Sequence, residues 1–139
     1  MERTLAIIKP DAVKRGLVGD ILKRIKAAGL GLCGLKLMHL TRRQAELFYE
    51  VHKARPFYGS LCECMSSGPV VIAVLEGDGA IARWGELMGA TDPAKATPGT
   101  IRKEFGLDVE QNSVHGSDAP ETARFEIGFF FSSLEITPS

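Results

Sequence analysis

The apolar and polar positions of this chain fall into short blocks with two different periods. Residues 4–8 (Thr-Leu-Ala-Ile-Ile) form an unbroken apolar, largely β-branched run stopped by Lys9-Pro10-Asp11, the pattern of a buried strand entering a polar loop. From Leu17 to Ala28 the apolar residues recur at 18, 21, 22, 25 and 28, a helical stripe with Gly29 placed as its C-terminal cap. Leu30 to Leu40 alternates loosely and predicts a second strand. Thr41 is placed to cap a helix through Ala45, Phe48 and Tyr49 towards Lys53, ended by Arg55-Pro56, and a short helix is expected over Ser60–Met65. Pro69 to Leu75 (Pro-Val-Val-Ile-Ala-Val-Leu) is the clearest strand, closed by Glu76-Gly77-Asp78-Gly79.

A helix over Ala80–Met88 follows, then a stretch without period from Gly89 to Gly99. Thr100–Phe105 reads as a short helix and Asn112–His115 as a brief final strand. Helix signals resume at Ser117/Asp118, with Pro120 in the first turn, Glu121 three residues after Asp118, and a core stripe of Ala123, Ile127 and Phe130. Strands and helices thus take turns along the chain. The expected fold is an α/β (α+β) sandwich of the ferredoxin-like kind, a split β-α-β arrangement with a four-stranded antiparallel sheet covered by helices. Residues 89–99 stand out as a loop with work to do, since long structureless connections are uncommon in compact domains.

Composition narrows the function. At 139 residues the chain suits one domain, 1–139, with one core, and needs no covalent staple. Seventeen basic residues balance seventeen acidic ones, which argues against nucleic-acid binding by bulk charge. The strands also lack the interleaved aromatics of a ferredoxin-like RNA binder. No apolar run reaches the length of a membrane span, and the first residues do not read as a signal peptide. Cys33, Cys62 and Cys64 are odd in number and have no adjacent histidines, so they are expected as reduced thiols in a cytoplasmic protein.

The chemistry gathers near the C-terminus. His115 falls between an expected strand end and a helix start, with Gly116 giving room to turn. That is a place where backbone N–H groups and a helix dipole suit an anionic phosphate, and where a neutral imidazole can serve as nucleophile. The plainer alternative is a histidine that merely hydrogen-bonds a turn. Glu126 lies beside the Ala123/Ile127/Phe130 stripe, so its carboxylate is expected at the core margin with a partner. That partner is either the imidazole, with Ser117 starting the same helix, or a neighbour such as Arg124. Lys9 and Arg102 are candidate cations for a transferring phosphate, although a lysine after a buried strand is often simply solvated. Phe57, in Arg55-Pro-Phe-Tyr58, is either a base-stacking ring or a lid on the core.

At Asn112-Ser-Val-His-Gly-Ser-Asp118 the chain resembles the nucleoside diphosphate kinases, whose active-site signature is Asn-x-x-His-Gly-Ser-Asp. The resemblance spans nearly the whole chain. It takes in Ile8-Lys-Pro-Asp11, Arg15-Gly-Leu-Val-Gly19, Arg55-Pro-Phe57, Ser67-Gly-Pro-Val-Val71, Gly89-Ala-Thr-Asp-Pro93 and Pro98-Gly-Thr-Ile-Arg102, all in order. It implies that His115 takes the γ-phosphate of ATP or another nucleoside triphosphate and passes it to a nucleoside or deoxynucleoside diphosphate in a ping-pong cycle. By the same resemblance Glu126 and Ser117 orient the imidazole, while Lys9 and Asn112 bind the sugar 3′-hydroxyl and terminal phosphates. Tyr49 stands near Lys9, Arg102 and Thr91 contact phosphates, and Phe57 and Val109 face the base. Mg²⁺ is implied, held mainly by the nucleotide phosphates with Asp118 reached through water. A homo-tetramer or homo-hexamer is implied as well, with the 91–99 loop as a subunit-contact element.

One position departs from that pattern. Where the family carries a phosphate-contacting arginine, this chain has Gly85, within Trp84-Gly-Glu-Leu-Met-Gly-Ala-Thr91. Arg83 is two residues away, about 200° round a helix, and is not expected to replace it. The expectation is a weakened enzyme unless another cation such as Lys95 reaches in, and the alternative function is a nucleotide-binding regulatory homologue with reduced catalysis.

Overall fold

The computed structural model describes residues 1–139 and contains four strands and seven α-helices. The strands are β1 (Glu2–Ile8), β2 (Gly31–Met38), β3 (Val70–Gly77) and β4 (Val114–Gly116), ordered β2-β3-β1-β4, with every neighbouring pair antiparallel. Because β1 and β2 both run against β3, they are parallel to each other with β3 inserted between them. This is the split β-α-β arrangement expected. All eight residues of β3 are buried, as its unbroken apolar run requires for a central strand covered on both faces.

The helices are α1 (Pro10–Lys14), α2 (Val18–Ala27), α3 (Arg42–Phe48), α4 (Tyr58–Met65), α5 (Ala80–Met88), α6 (Ile101–Phe105) and α7 (Pro120–Phe130). Alternation along the strands builds two cores. Leu5, Ile7, Ile72 and Val74 face α3, α4 and α7, through Phe48, Cys62, Met65 and Phe130. Ala6, Ile8, Ala73 and Leu75 face α2, α5 and α6, through Ile21, Ile25, Trp84 and Ile101. Thr41 caps α3 as its position predicts. Its hydroxyl accepts from the Gln44 N–H at 3.1 Å and the Gln44 side chain accepts from the Thr41 N–H at 2.9 Å, a reciprocal cap of about 1 kcal/mol.

Several boundaries differ from expectation. Lys9-Pro10-Asp11 is no loop: Lys9 is the extended N-cap of α1, with Pro10 in the first helical position, where its missing N–H costs nothing. The helix after Thr41 stops at Phe48, and a 3-10 turn over Glu50–His52 carries the chain on. The last strand starts two residues late, because Ser113 has φ +76° and cannot be extended. The last helix begins at Pro120 after Ala119, not at Ser117/Asp118. The Thr122 hydroxyl accepts from the N–H groups of Asp118 and Ala119 at 3.2 and 3.0 Å, where Asp118 and Glu121 were expected to form the cap. Residues 89–99 contain a 3-10 turn, Pro93–Lys95, capped by Asp92.

Candidate active site

The short β4 pairs with β1, setting His115 opposite Ile7 and therefore on the α3/α7 side of the sheet. Gly116 serves close packing and not a turn: a Cβ there would lie 2.5 Å from Trp84 Cδ1, so only glycine lets α5 approach β4. Trp84 is fully buried, and its indole N–H donates to the His115 carbonyl at 3.2 Å. The backbone of His115 is thus held from one face of the sheet while its ring works on the other.

On that other face α7 presents Glu126. Its Oε1 lies 3.0 Å from His115 Nε2 and accepts the Ser117 hydroxyl at 2.8 Å. Ser117 Oγ in turn accepts from the Leu5 N–H at 3.3 Å, which anchors the group to β1. The Glu126 side chain is 14% exposed, at the core margin as expected, and its partners are the imidazole and Ser117; Arg124 is not among them. Phe48 packs its ring edge-on to the imidazole with centroids 5.4 Å apart, and the Tyr49 ring stands 6.3 Å away. Burial together with the charge of Glu126 pushes the Tyr49 phenol upward, so it remains a hydroxyl near neutral pH.

The expected phosphate and sugar contacts assemble on the adjoining side. Lys9 is buried, not solvated, and its ammonium donates to Asn112 Oδ1 at 3.0 Å and to the Glu110 carbonyl at 2.5 Å. Burial lowers its pKa. Asn112 Nδ2 donates to the Thr91 carbonyl at 3.0 Å, which ties the 89–99 loop to Lys9. Arg102 reaches behind β4 and donates to the carbonyls of Gly89 (2.8 Å) and Val114 (2.9 Å), while its Nε is buried without a protein partner. Asp118 is exposed and near enough for its charge to act on Arg102.

Phe57 and Val109 are 43% and 55% exposed, and the Ser60 hydroxyl, donating to Glu110 Oε1 at 2.6 Å, brings the Val109 loop beside the start of α4. Phe57 is therefore a presented ring and not a lid on the core. A surface hollow of about 750 Å³ on another flank, lined by Arg3, Glu76, Phe131 and Ile136 among others, holds none of these groups. No three His, Cys, Asp or Glu side chains converge to cage a metal. A lone exposed Asp118 is a donor set that fits a magnesium ion arriving with its phosphates and waters, since Mg²⁺ is usually held by one or two carboxylates plus substrate oxygens.

The nucleoside diphosphate kinase family model matches residues 2–136. The chain belongs to that family. It is 60% identical to the nucleoside diphosphate kinase of Geotalea daltonii over 98% of this chain and 99% of the relative. It is 61% identical to that of Oleidesulfovibrio alaskensis over 98% of each. The nucleoside diphosphate kinase structure from Aquifex aeolicus superposes with a TM-score of 0.96 at 50% identity, covering 98% of this chain and 99% of that one. A halophilic nucleoside diphosphate kinase from Halobacterium salinarum, solved in complex with CDP, gives a TM-score of 0.95 at 41% identity, covering 99% and 92%.

Against that family background, Gly85 sits inside α5 with nothing within 4 Å of where a Cβ would stand. Arg83 is engaged elsewhere, donating to the carbonyls of Ala28 and Asp78, and Lys95 is exposed at the end of the Pro93–Lys95 turn. Neither the geometry nor the relatives favour a regulator that has lost turnover. Gly85→Arg is expected to raise kcat/KM by about tenfold or more through a charge-assisted phosphate contact. Unchanged steady-state kinetics in that variant would show that the position is already compensated.

Two groups escaped the sequence reading. Trp84 is indistinguishable from a core residue on the Ala80/Trp84/Met88 stripe until its indole is seen on the His115 carbonyl. Asp11 is legible only as part of the Ile8-Lys-Pro-Asp11 run, with no signal for what it touches.

Proposed function

We propose that this chain moves the terminal phosphoryl group of ATP, or another nucleoside triphosphate, to nucleoside and deoxynucleoside diphosphates through a phosphohistidine at His115. The observation that carries this reading is the Glu126 carboxylate 3.0 Å from His115 Nε2. A ring nitrogen facing a carboxylate keeps the proton, which leaves Nδ1 with the free lone pair. In the first half-reaction Nδ1 bonds to the γ-phosphorus as the bond to the β–γ bridging oxygen breaks, and the diphosphate departs with that electron pair. In the second, a terminal oxygen of an acceptor diphosphate takes the phosphoryl group, and the N–P pair returns to Nδ1. Glu126 offsets the positive charge that builds on the ring in both halves.

Lys9 and Asn112 bind the sugar 3′-hydroxyl and terminal phosphates, Arg102 and Thr91 contact phosphates, and the Tyr49 ring stands beside the imidazole. Asp118 would hold Mg²⁺ through water while the nucleotide phosphates supply its other ligands, the ion offsetting their charge. Phe57 stacks on one face of the base and Val109 packs on the other, neither reading its edges, so the identity of the base matters little. Residues 1–139 act as one domain in a homo-tetramer or homo-hexamer in the cytoplasm. Support for self-association comes from edge strand β2, whose Leu32, Leu35 and Leu37 are 42%, 51% and 70% exposed. Support for a reducing compartment comes from the three free thiols. No helix is long and apolar enough to cross a membrane.

A coupled assay with ATP and the diphosphates of guanosine, cytidine, uridine and thymidine is expected to give kcat/KM values within about tenfold of one another. Acceptance of one base alone would overturn the stacking account, and absence of transfer to any would overturn the function.

A further inference from the structure

The turn that joins the nucleotide-binding Asn112 to His115 is strained, and a residue from the other end of the chain holds it. The Val114 N–H donates to the Asn112 carbonyl at 2.9 Å with Ser113 at φ +76°, a γ-turn of the left-handed kind that L-residues rarely adopt. Ser113 is the chain's one non-glycine residue with positive φ. The Asp11 carboxylate accepts the Ser113 N–H at 3.1 Å, and the Lys9 N–H donates to the Ser113 carbonyl at 2.9 Å, so the peptide units on both sides of Ser113 are gripped from the β1–α1 junction. Ser113 Oγ and the other carboxylate oxygen, Asp11 Oδ1, are sealed from solvent with no further protein partner. The grip is therefore a specific one and not a share in a wider network.

We propose that Asp11 is a positioning residue for phosphoryl transfer, holding Ser113 in its left-handed turn so that Asn112 and His115 keep the separation that places a bound phosphate in line with the imidazole. Each end of the turn has its own anchor. Asn112 is fixed by Lys9 and Thr91, while His115 is fixed by pairing with Ile7 and by Trp84. Losing the clamp leaves these anchors made but lets the turn between them relax, and the separation of Asn112 and His115 changes with it. The consequence falls on the rate of transfer more than on nucleotide binding, because transfer is far more sensitive to small displacements.

The proposal rests on the reading of His115 as the phosphate acceptor, and a double-mutant comparison separates the two. Asp11→Ala is expected to lower kcat by about ten- to a hundredfold, the range of backbone strain no longer held, with KM changed less than about threefold. Asp11→Asn keeps an acceptor for the Ser113 N–H but no charge, and is expected to retain most of kcat. In the Ser113→Gly background, where glycine adopts positive φ without strain, Asp11→Ala is expected to cost less than about threefold. Equal losses from Asp11→Ala in both backgrounds, or Asp11→Asn as impaired as Asp11→Ala, would overturn the clamp. So would a purely thermal effect with kcat per folded molecule unchanged. Should Asp11→Ala not fold, Asp11→Asn and Ser113→Gly decide by the same criteria, since a charge effect of Asp11 would still impair the first. Failure of the parent enzyme to label at His115 would instead remove the underlying reading.

Discussion

Replacing His115 with alanine is expected to lower nucleoside diphosphate kinase turnover by about ten-thousandfold or more while leaving the fold intact. With Nε2 held against Glu126, the imidazole offers the lone pair of Nδ1 as nucleophile, and without it the two half-reactions lose their shared covalent intermediate. On the proposed reading Lys9, Asn112 and Arg102 bind and position nucleotide, and none of them supplies a nucleophile in place of the imidazole. Structure should survive. The ring is half-buried, its backbone pairing with Ile7 is independent of the side chain, and the bond from Trp84 goes to its carbonyl. Steady-state assay together with a circular dichroism melt checks both halves of the expectation. Substantial turnover in the alanine variant would mean that the phosphoryl group passes directly from donor to acceptor.

Glu126→Ala should have the next largest effect, a fall in kcat of about a hundredfold or more. In the proposed mechanism the carboxylate does two things at once. It keeps the proton on Nε2, so that Nδ1 is the nucleophile, and it balances the charge that appears on the ring when the N–P bond forms. Its loss also leaves the Ser117 hydroxyl without its acceptor in a buried position, a cost of about 1–3 kcal/mol to stability. Nucleotide binding should change little, because Glu126 pairs with His115 and Ser117 and with none of the residues proposed to contact base or sugar. The clearest check is the single-turnover rate of label transfer from γ-labelled ATP, compared with the dissociation constant of a nucleoside diphosphate. A variant with weakened binding and an unaltered transfer rate would show that Glu126 serves the cleft and not the ring.

The parts of the fold that could be read in advance are those where one local pattern decides the outcome. Val70–Leu75 is apolar at every position and becomes a central strand, and Ala80–Met88 carries its buried stripe at helical spacing to the same boundaries the pattern predicts. The parts that could not be read depend on partners distant in the chain. Ser113 has no intrinsic preference for positive φ; Asp11, about a hundred residues earlier, holds it there, and that shortens β4. Lys9, extended ahead of the helix that Pro10 opens, folds its side chain inward onto Asn112, against the ordinary expectation that a lysine after a strand stays in water.

The site divides in the same way. His115 and Glu126 are suggested by their chemistry and by placement at a strand end and a core margin. Tyr49, Thr91 and Val109 carry no such signal, and only the resemblance singled them out. The structure puts the Tyr49 ring 6.3 Å from the imidazole and joins the Thr91 carbonyl to Asn112.

The most direct test of the central claim is the intact mass of the purified protein after brief exposure to ATP and Mg²⁺ without an acceptor, followed by fragmentation to locate any added group. The account predicts one phosphoryl group per chain, on His115, stable to base, lost in acid, and discharged on adding a nucleoside diphosphate. A protein that remains unmodified while it turns over substrate, or that carries the group on another residue, would contradict it.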